Sequence, residues 1–204
     1  MNPEAVARIC DAISSGSPDE AAALARAELP FEPFERTKRF RSDAEKVSVF
    51  LRDGFIDRYS GQRLVFPGTL LLLSHLMPAE IPYHSNWDTS KCHMVFWYLS
   101  PTVDHVDPVA RGGPDTTDNL VCTSMPRNDA KRHWTLEELG WHPCLPGSLL
   151  EWDGLLSWFM DYTSDKPRVL EERPIKRWHS AAKRALRGHN RQDLPSSLRS
   201  YSHH

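Results

Sequence analysis

The residues best suited to chemistry lie in one segment near the middle of the chain. Asp104 and His105 are adjacent, a glycine pair follows at 112–113, Asn119 comes fourteen residues after the histidine, and Asn128 nine residues later. A carboxylate and a carboxamide supply the oxygen ligands that hard cations such as Mg²⁺ and Mn²⁺ prefer. A histidine beside such a cation can act as the base that activates water. The combination points to metal-dependent hydrolysis of a phosphodiester.

Each of these residues also has a structural interpretation when it is taken singly. Asp104 and His105 would fit a satisfied surface pair on a strand. Asn119 would fit a turn after the glycine loop, and Asn128 a helix cap. Successive side chains of a flat strand point to opposite faces, so Asp104 and His105 can serve one site only at a bulge or a strand end. We therefore expect the backbone to depart from a regular strand there.

The elements predicted around these residues are a strand, a loop, a second strand and a helix. The β-branched residues of 102–109 and 120–124 favour strands, and Pro126 favours a helix that begins there and ends near residue 133. A short helix packed across the two strands can bring Asn128 to a cation held by Asp104. The order of elements thus supports one site built from distant positions.

The order and spacing of this segment resemble the HNH endonucleases, whose core is the ββα-metal fold. The matching positions are Asp104-His105, Pro108, Gly112-Gly113, Asn119-Leu120, Asn128 and Lys131. The resemblance implies that His105 is the general base and that Asp104 and Asn128 bind a metal. It implies that Asn119 belongs to the catalytic group as a structural residue, which bridges the loop and holds the backbone of the histidine. The wider likeness covers 55–142, less than half of the chain.

Two further features follow from the resemblance. Arg111 and Lys131 lie where contacts to phosphate would be useful, although Lys131 would equally fit a solvated helix face. Many HNH proteins carry two C-x-x-C pairs that bind a structural zinc, but this chain has Tyr59 to Gln62 at the first pair, and Ser124 and Arg127 at the second. We therefore expect no structural zinc. Aromatic core packing is expected to replace it, from Trp87, Phe96, Trp97, Tyr98, Trp134 and Trp141.

The C-terminal part of the chain is basic. Residues 168–204 contain nine Arg and Lys against three Asp and Glu, a net charge of +6, whereas the whole chain carries −2, which leaves −8 for residues 1–167. A helix over 174–187 would collect its cations on one side, and we expect that side to contact nucleic acid. A solvated helix face is the alternative. The cations are Lys176, Arg177, Lys183, Arg184 and Arg187.

Length and composition indicate one globular domain, or a small domain with appendages. With the predicted elements, the resemblance implies an α+β protein with an HNH core embedded in helices. We predict a helical N-terminal accessory segment over 1–54, the nuclease domain over 55–142, C-terminal helices over 143–187 and a disordered tail over 188–204. The longest aliphatic run is only 70–73, too short for a membrane span, and the first residues lack a signal-peptide pattern. Four widely separated cysteines indicate reduced thiols and, with these features, a cytoplasmic location.

The sequence therefore predicts a metal-dependent endonuclease that hydrolyses DNA, double-stranded rather than single-stranded, with Mg²⁺ or Mn²⁺. Two other interpretations stay open. One is a nucleic-acid-binding module that keeps the HNH scaffold without turnover, and the other is an interaction protein whose basic end binds an acidic partner. The sequence indicates neither the DNA target nor an oligomeric state.

Overall fold

The computed structural model describes residues 3–30 and 41–202, and the chain divides into two compact units, Met1–Arg39 and Phe40–His204. The described part of the first unit is a helix pair, α1 (Pro3–Ser14) and α2 (Pro18–Glu28). Its buried residues are the alanines Ala5, Ala12 and Ala21, whose small side chains let the two helices pack closely. Ser17 occupies the N-cap position of α2, and Pro18 begins the helix, because the fixed φ of proline suits the first helical position.

The described part of the second unit contains seven α-helices and a two-stranded sheet. The helices are α3 (Asp43–Arg52), α4 (Pro67–Leu76), α5 (Val95–Tyr98), α6 (Met125–Lys131), α7 (Leu136–Leu139), α8 (Leu156–Asp165) and α9 (Arg173–Arg187). The strands are β1 (Pro101–His105) and β2 (Leu120–Ser124). The prediction of an α+β chain is confirmed at this level.

The two strands pair antiparallel, with a register that runs from Pro101 opposite Ser124 to His105 opposite Leu120. A loop that includes a 3-10 turn at Val109–Arg111 joins them. Helix α6 follows β2 directly and packs against both strands. The predicted order of strand, loop, strand and helix is thus confirmed, although β1 ends at His105 and not at residue 109.

The core of this unit lies between the sheet and helices α3, α8 and α9. Phe50, Phe66, Phe159 and Leu186 are fully buried in one apolar cluster there. The run Ser42-Asp43-Ala44-Glu45 predicts a capping box, and α3 starts with one. Ser42 accepts from the backbone N–H of Glu45, and the Glu45 carboxylate accepts from the backbone N–H of Ser42. Because α3 packs on α9 and on both strands, it belongs to the second unit. The predicted accessory segment over 1–54 therefore spans both the first unit and α3.

Two other predictions differ from the structure. The aromatic-rich run 89–99 favours a helix that begins near Thr89. Only α5 forms there, because the Asp88 carboxylate accepts hydrogen bonds from the N–H and hydroxyl of Ser90 and forms a turn. The end of the chain, expected to be disordered from 188, forms 3-10 turns up to Tyr201, with Leu194 and Leu198 fully buried. Phe96 is buried as expected.

The aromatic residues expected in the core differ in how far they are exposed. Tyr98 and Trp134 are 53% and 43% exposed, so the expectation is wrong for these two residues. Within the described residues, no helix has both the length and the apolar character needed to cross a membrane.

Candidate active site

Asp104 lies in a buried polar cluster made with residues from two other segments. Its Oδ2 accepts a hydrogen bond from the Tyr59 hydroxyl at 2.8 Å and forms an ion pair with the Lys131 ammonium at 3.1 Å. Asp104 is 9% exposed and Lys131 is fully buried. Burial, with the charge of Asp104 as a second cause, raises the pKa of Tyr59, so the phenol stays protonated and donates to the carboxylate.

Lys131 also fixes the backbone next to the catalytic candidate. Its ammonium donates to the carbonyl oxygen of His105 at 2.6 Å. The predicted phosphate contact at Lys131 does not fit this arrangement, because the side chain has no exposed surface and its charge is already paired. Lys131 instead joins α6 to the last two residues of β1.

His105 ends β1 and pairs with an acidic residue from the loop. Its Nε2 lies 2.8 Å from Oδ1 of Asp115, which also forms an ion pair with Arg41. The hydrogen bond from His105, and after it the charge of Arg41, lowers the pKa of Asp115. The ionised carboxylate can only accept, so Nε2 of a neutral His105 carries the proton and Nδ1 remains an acceptor. The strand end expected at Asp104 and His105 is thus present.

Asn119 closes the loop between the strands. Its Nδ2 donates to the carbonyl oxygens of Asp107 at 2.9 Å and Pro114 at 2.8 Å, and its Oδ1 accepts from the backbone N–H of Asp107 at 2.8 Å. The backbone N–H of Val106 donates to the Asn119 carbonyl, which continues the pairing beyond His105. Gly113 is needed in the same loop, because a Cβ there would lie 2.1 Å from the Asp107 carbonyl oxygen. Asn119 therefore holds the loop that carries Asp115.

Asn128 and Asp104 are the predicted oxygen donors for a cation. Asn128 lies in α6, one turn before Lys131, and is partly exposed. Within the described ranges, its amide and Oδ1 of Asp104 have no hydrogen-bond partner, so both are available as ligands. No group of three or more His, Cys, Asp and Glu suited to a metal occurs among the described residues. A carboxylate oxygen and a carboxamide oxygen are the donor types that hard cations such as Mg²⁺ take.

Two buried carboxylates, Asp53 and Asp57, connect the segment around Tyr59 to strand β2. Asp57 accepts from the Thr123 hydroxyl and the Ser124 backbone N–H, both at 3.0 Å, and from the backbone N–H of Tyr59 at 2.9 Å. Asp53 accepts from the backbone N–H of Cys122 at 2.7 Å. Both aspartates are fully buried. Hydrogen bonds that these two carboxylates accept thus connect the segments.

The other predicted contacts lie outside the polar cluster. Arg111 is exposed and forms an ion pair with Glu138 at 2.9 Å. The five cations predicted on the last helix are all exposed on α9, whose opposite side buries Ile175, Trp178 and Leu186. Arg177 is paired with Asp43 at 3.0 Å.

Three residues of the site were not foreseen from the sequence. Asp115, Arg41 and Tyr59 contact His105 or Asp104 from separate positions along the chain. The only sequence signal for Asp115 is a carboxylate directly after the glycine pair and Pro114. Tyr59 begins the run that stands at the first zinc-binding cysteine pair of many HNH proteins. Nothing in its spacing indicates the hydrogen bond to Asp104.

Comparison with known proteins provides no family assignment, since no family model, curated protein or solved structure matches the chain. The likeness to HNH proteins therefore stays a prediction from the sequence, which the motif over 104–131 carries.

Proposed function

We propose that this protein is a metal-dependent endonuclease that hydrolyses DNA through an HNH-type site. The observation that carries the proposal is the pair formed by His105 and Asp115 at the end of β1. The pair leaves one ring nitrogen of the histidine as an acceptor, next in sequence to the carboxylate of Asp104. Phosphodiester hydrolysis requires a base that is held in this way, with a carboxylate that can bind the metal ion beside it.

Each residue of the candidate site has a separate role in this proposal. His105 takes the proton from the attacking water at Nδ1, while Asp115 holds the ring and stabilises the imidazolium that forms. Asn119 keeps Asp115 in reach of His105 by closing the loop. Tyr59 and Lys131 hold Oδ2 of Asp104, which directs the other carboxylate oxygen away from that pair of contacts.

Oδ1 of Asp104 and the amide of Asn128 would hold Mg²⁺ or Mn²⁺. Such a cation would supply charge stabilisation for the departing 3′ oxygen. With so few protein ligands we expect affinity for the metal to be low, and removal by a chelator to be reversible. Asp104→Ala and Asn128→Ala should each abolish activity that depends on added metal.

The exposed cations of α9 would provide sequence-independent contacts to the DNA backbone. Each phosphate neutralised releases condensed counterions, which adds affinity without selecting a base sequence. Arg111, in the loop that carries Asp115, would contact phosphate nearer to the reaction after exchanging its partner Glu138.

Plasmid cleavage tests the proposal. Purified protein with Mg²⁺ or Mn²⁺ should nick or linearise plasmid DNA and leave 5′-phosphate and 3′-hydroxyl ends. EDTA should stop the reaction, and excess metal should restore it. Absence of cleavage with both metals, over a range of DNA substrates, would contradict the proposal. Stoichiometric zinc that survives dialysis would contradict the expectation that the fold needs none.

A second candidate is a DNA-binding module without turnover. The contact between Lys131 and Asp104 favours it, because an ammonium at 3.1 Å offsets the negative charge that attracts a metal. A module of this kind would shift the mobility of DNA with or without metal and would never cut it. The interaction-protein interpretation predicts neither a shift nor cleavage, so the same plasmid separates all three.

A further inference from the structure

A cavity of about 640 Å³ opens beside the start of β1, and none of Tyr59, Asp104, His105 and Lys131 lines it. Its walls come from α3, α4, α5 and α9, and from the segment before α5. Pro101 and Thr102 form part of its lining. The volume lies within the range of about 300–1,000 Å³ that is typical of sites for small molecules.

Aromatic and basic side chains meet in this cavity. Tyr83, Trp87 and Trp178 supply ring surface, and Lys46, Arg173 and Arg177 supply positive charge. Tyr83 is 37% exposed, so part of its ring is free to stack on a ligand. The Tyr83 ring also packs against Phe96, at 4.9 Å between ring centroids. Flat aromatic surface combined with cations suits a ligand that has both a planar ring and an anionic group.

The charge in the cavity is positive and only partly compensated. Asp43 pairs with Arg177 at 3.0 Å and with Lys46 at 3.3 Å, but it does not line the cavity. Arg173 has no ion-pair partner within residues 3–30 and 41–202. No Asp or Glu contributes to the described lining. An anionic ligand would therefore meet attraction without a facing carboxylate.

The backbone at Trp87 is held in an uncommon conformation. Its φ of 53° lies in the left-handed region, which a bulky residue rarely occupies. The Trp87 ring packs edge-on against Trp97, at 5.4 Å between ring centroids. Strain of this kind is found at ligand sites where it fixes a side chain in a required position. Here it presents an indole at the cavity.

The distance along β1 relates the cavity to the candidate active site. Pro101 borders the cavity and His105 ends the same strand, which separates their Cα atoms by about 13 Å at roughly 3.3 Å per residue. One DNA strand rises about 3.4 Å per nucleotide in a duplex. A nucleotide in the cavity can therefore belong to the DNA whose phosphate lies at His105, within about four nucleotides of it.

We propose that this cavity accepts one unstacked nucleotide of the DNA duplex, with the base against Tyr83 and Trp87 and its phosphate near Arg173. The inference rests on the proposed function in one respect, since it takes DNA to be the substrate. It adds a preference for duplexes in which one base leaves the stack easily, such as those with an unpaired nucleotide.

Equilibrium binding tests this inference separately from cleavage. The protein carries His105→Ala and the buffer contains EDTA, so no hydrolysis occurs. Fluorescence anisotropy compares a short labelled duplex that is fully paired with the same duplex containing one unpaired thymidine. Stacking on an aromatic side chain should favour the second duplex by about 5- to 100-fold.

Substitutions of two tyrosines identify the source of the preference for the duplex with an unpaired thymidine. Tyr83→Ala should remove most of the preference, and Tyr83→Phe should keep it because the ring remains. Tyr98→Ala is the matched control, since Tyr98 is exposed on α5 but does not line the cavity. Equal affinity for the two duplexes, or a preference that Tyr83→Ala leaves unchanged, would overturn the inference. In that case, cleavage of DNA by wild type would still support the proposed nuclease. Conversely, a preference for the unpaired thymidine without any cleavage would contradict only the proposed nuclease activity.

Discussion

The pairing of Lys131 with Asp104 makes a quantitative prediction about stability. Lys131→Met keeps the length of the side chain and removes the ammonium, which leaves Asp104 almost buried with Tyr59 as its remaining partner and the His105 carbonyl without its donor. Removing one member of a buried ion pair typically costs about 3–5 kcal/mol in the free energy of unfolding. For a unit of this size that corresponds to a fall in Tm of very roughly 6–20 °C.

A second variant separates lost charge pairing from lost packing. Asp104→Asn combined with Lys131→Met removes both charges while Tyr59 can still donate to residue 104. The double variant should therefore be more stable than Lys131→Met alone, by about 2 kcal/mol. Lys176→Met on the exposed side of α9 is the matched control, and its effect should lie within about 0.5 kcal/mol.

Tryptophan fluorescence is a suitable assay for these variants. All seven tryptophans lie from Trp87 to Trp178, so the signal reports on the second unit and not on the first. Denaturant titrations of the four proteins give the differences in unfolding free energy. A Lys131→Met variant within 1 kcal/mol of wild type (the cost that about one ordinary hydrogen bond would explain) would refute the reasoning about this pair.

Three further predictions concern the loop and the basic helix. Asp115→Asn should lower the cleavage rate by about 10- to 100-fold in a plasmid assay without weakening DNA binding, since it removes the group that orients His105. Because its contacts depress the pKa of Asp115 below the usual 3.8, its stabilising effect is present above that pH and disappears as the pH falls through the lowered value, so the Tm of wild type should approach that of the variant in acid. Asn119→Ala loses three hydrogen bonds and should destabilise the second unit by about 2–4 kcal/mol in denaturant titrations, whereas an unchanged midpoint would show that the loop does not need it. Replacing Lys183, Arg184 and Arg187 together by Gln should weaken DNA binding and reduce its salt dependence while turnover at saturating DNA is retained; no change in anisotropy across a salt series would favour a solvated helix face.

Local patterns in the sequence were sufficient for β2, for α9 and for the cap of α3. The β-branched residues Val121 and Thr123 favour β2, and the apolar positions Ile175, Trp178 and Leu186 specify which side of α9 is buried. The capping box at Ser42 depends on residues three positions apart. These signals are short-range, so they can be recognised without knowledge of the fold.

The missed features depend on contacts between distant segments. Tyr59 and Asp104 are 45 residues apart, and Lys131 and His105 are 26 apart. A lysine in a short helix is usually exposed, because burial of its charge needs a partner that the local sequence does not supply. The role of Asn119 was expected only from the resemblance to HNH proteins. Its three hydrogen bonds to the loop agree with that expectation, but they do not test catalysis.

The rate of DNA cleavage by His105→Ala tests the central claim most directly. Wild type, His105→Ala and the matched control His75→Ala, an exposed histidine of α4, are compared on the same plasmid with Mg²⁺ at saturating DNA. Loss of the general base should reduce the rate by about 10²- to 10⁴-fold, and His75→Ala should cut as wild type does. DNA affinity should be similar for all three proteins. A His105→Ala variant that cleaves within about threefold of wild type, far less than loss of a general base should cost, would contradict the assignment of the base and with it the proposed mechanism.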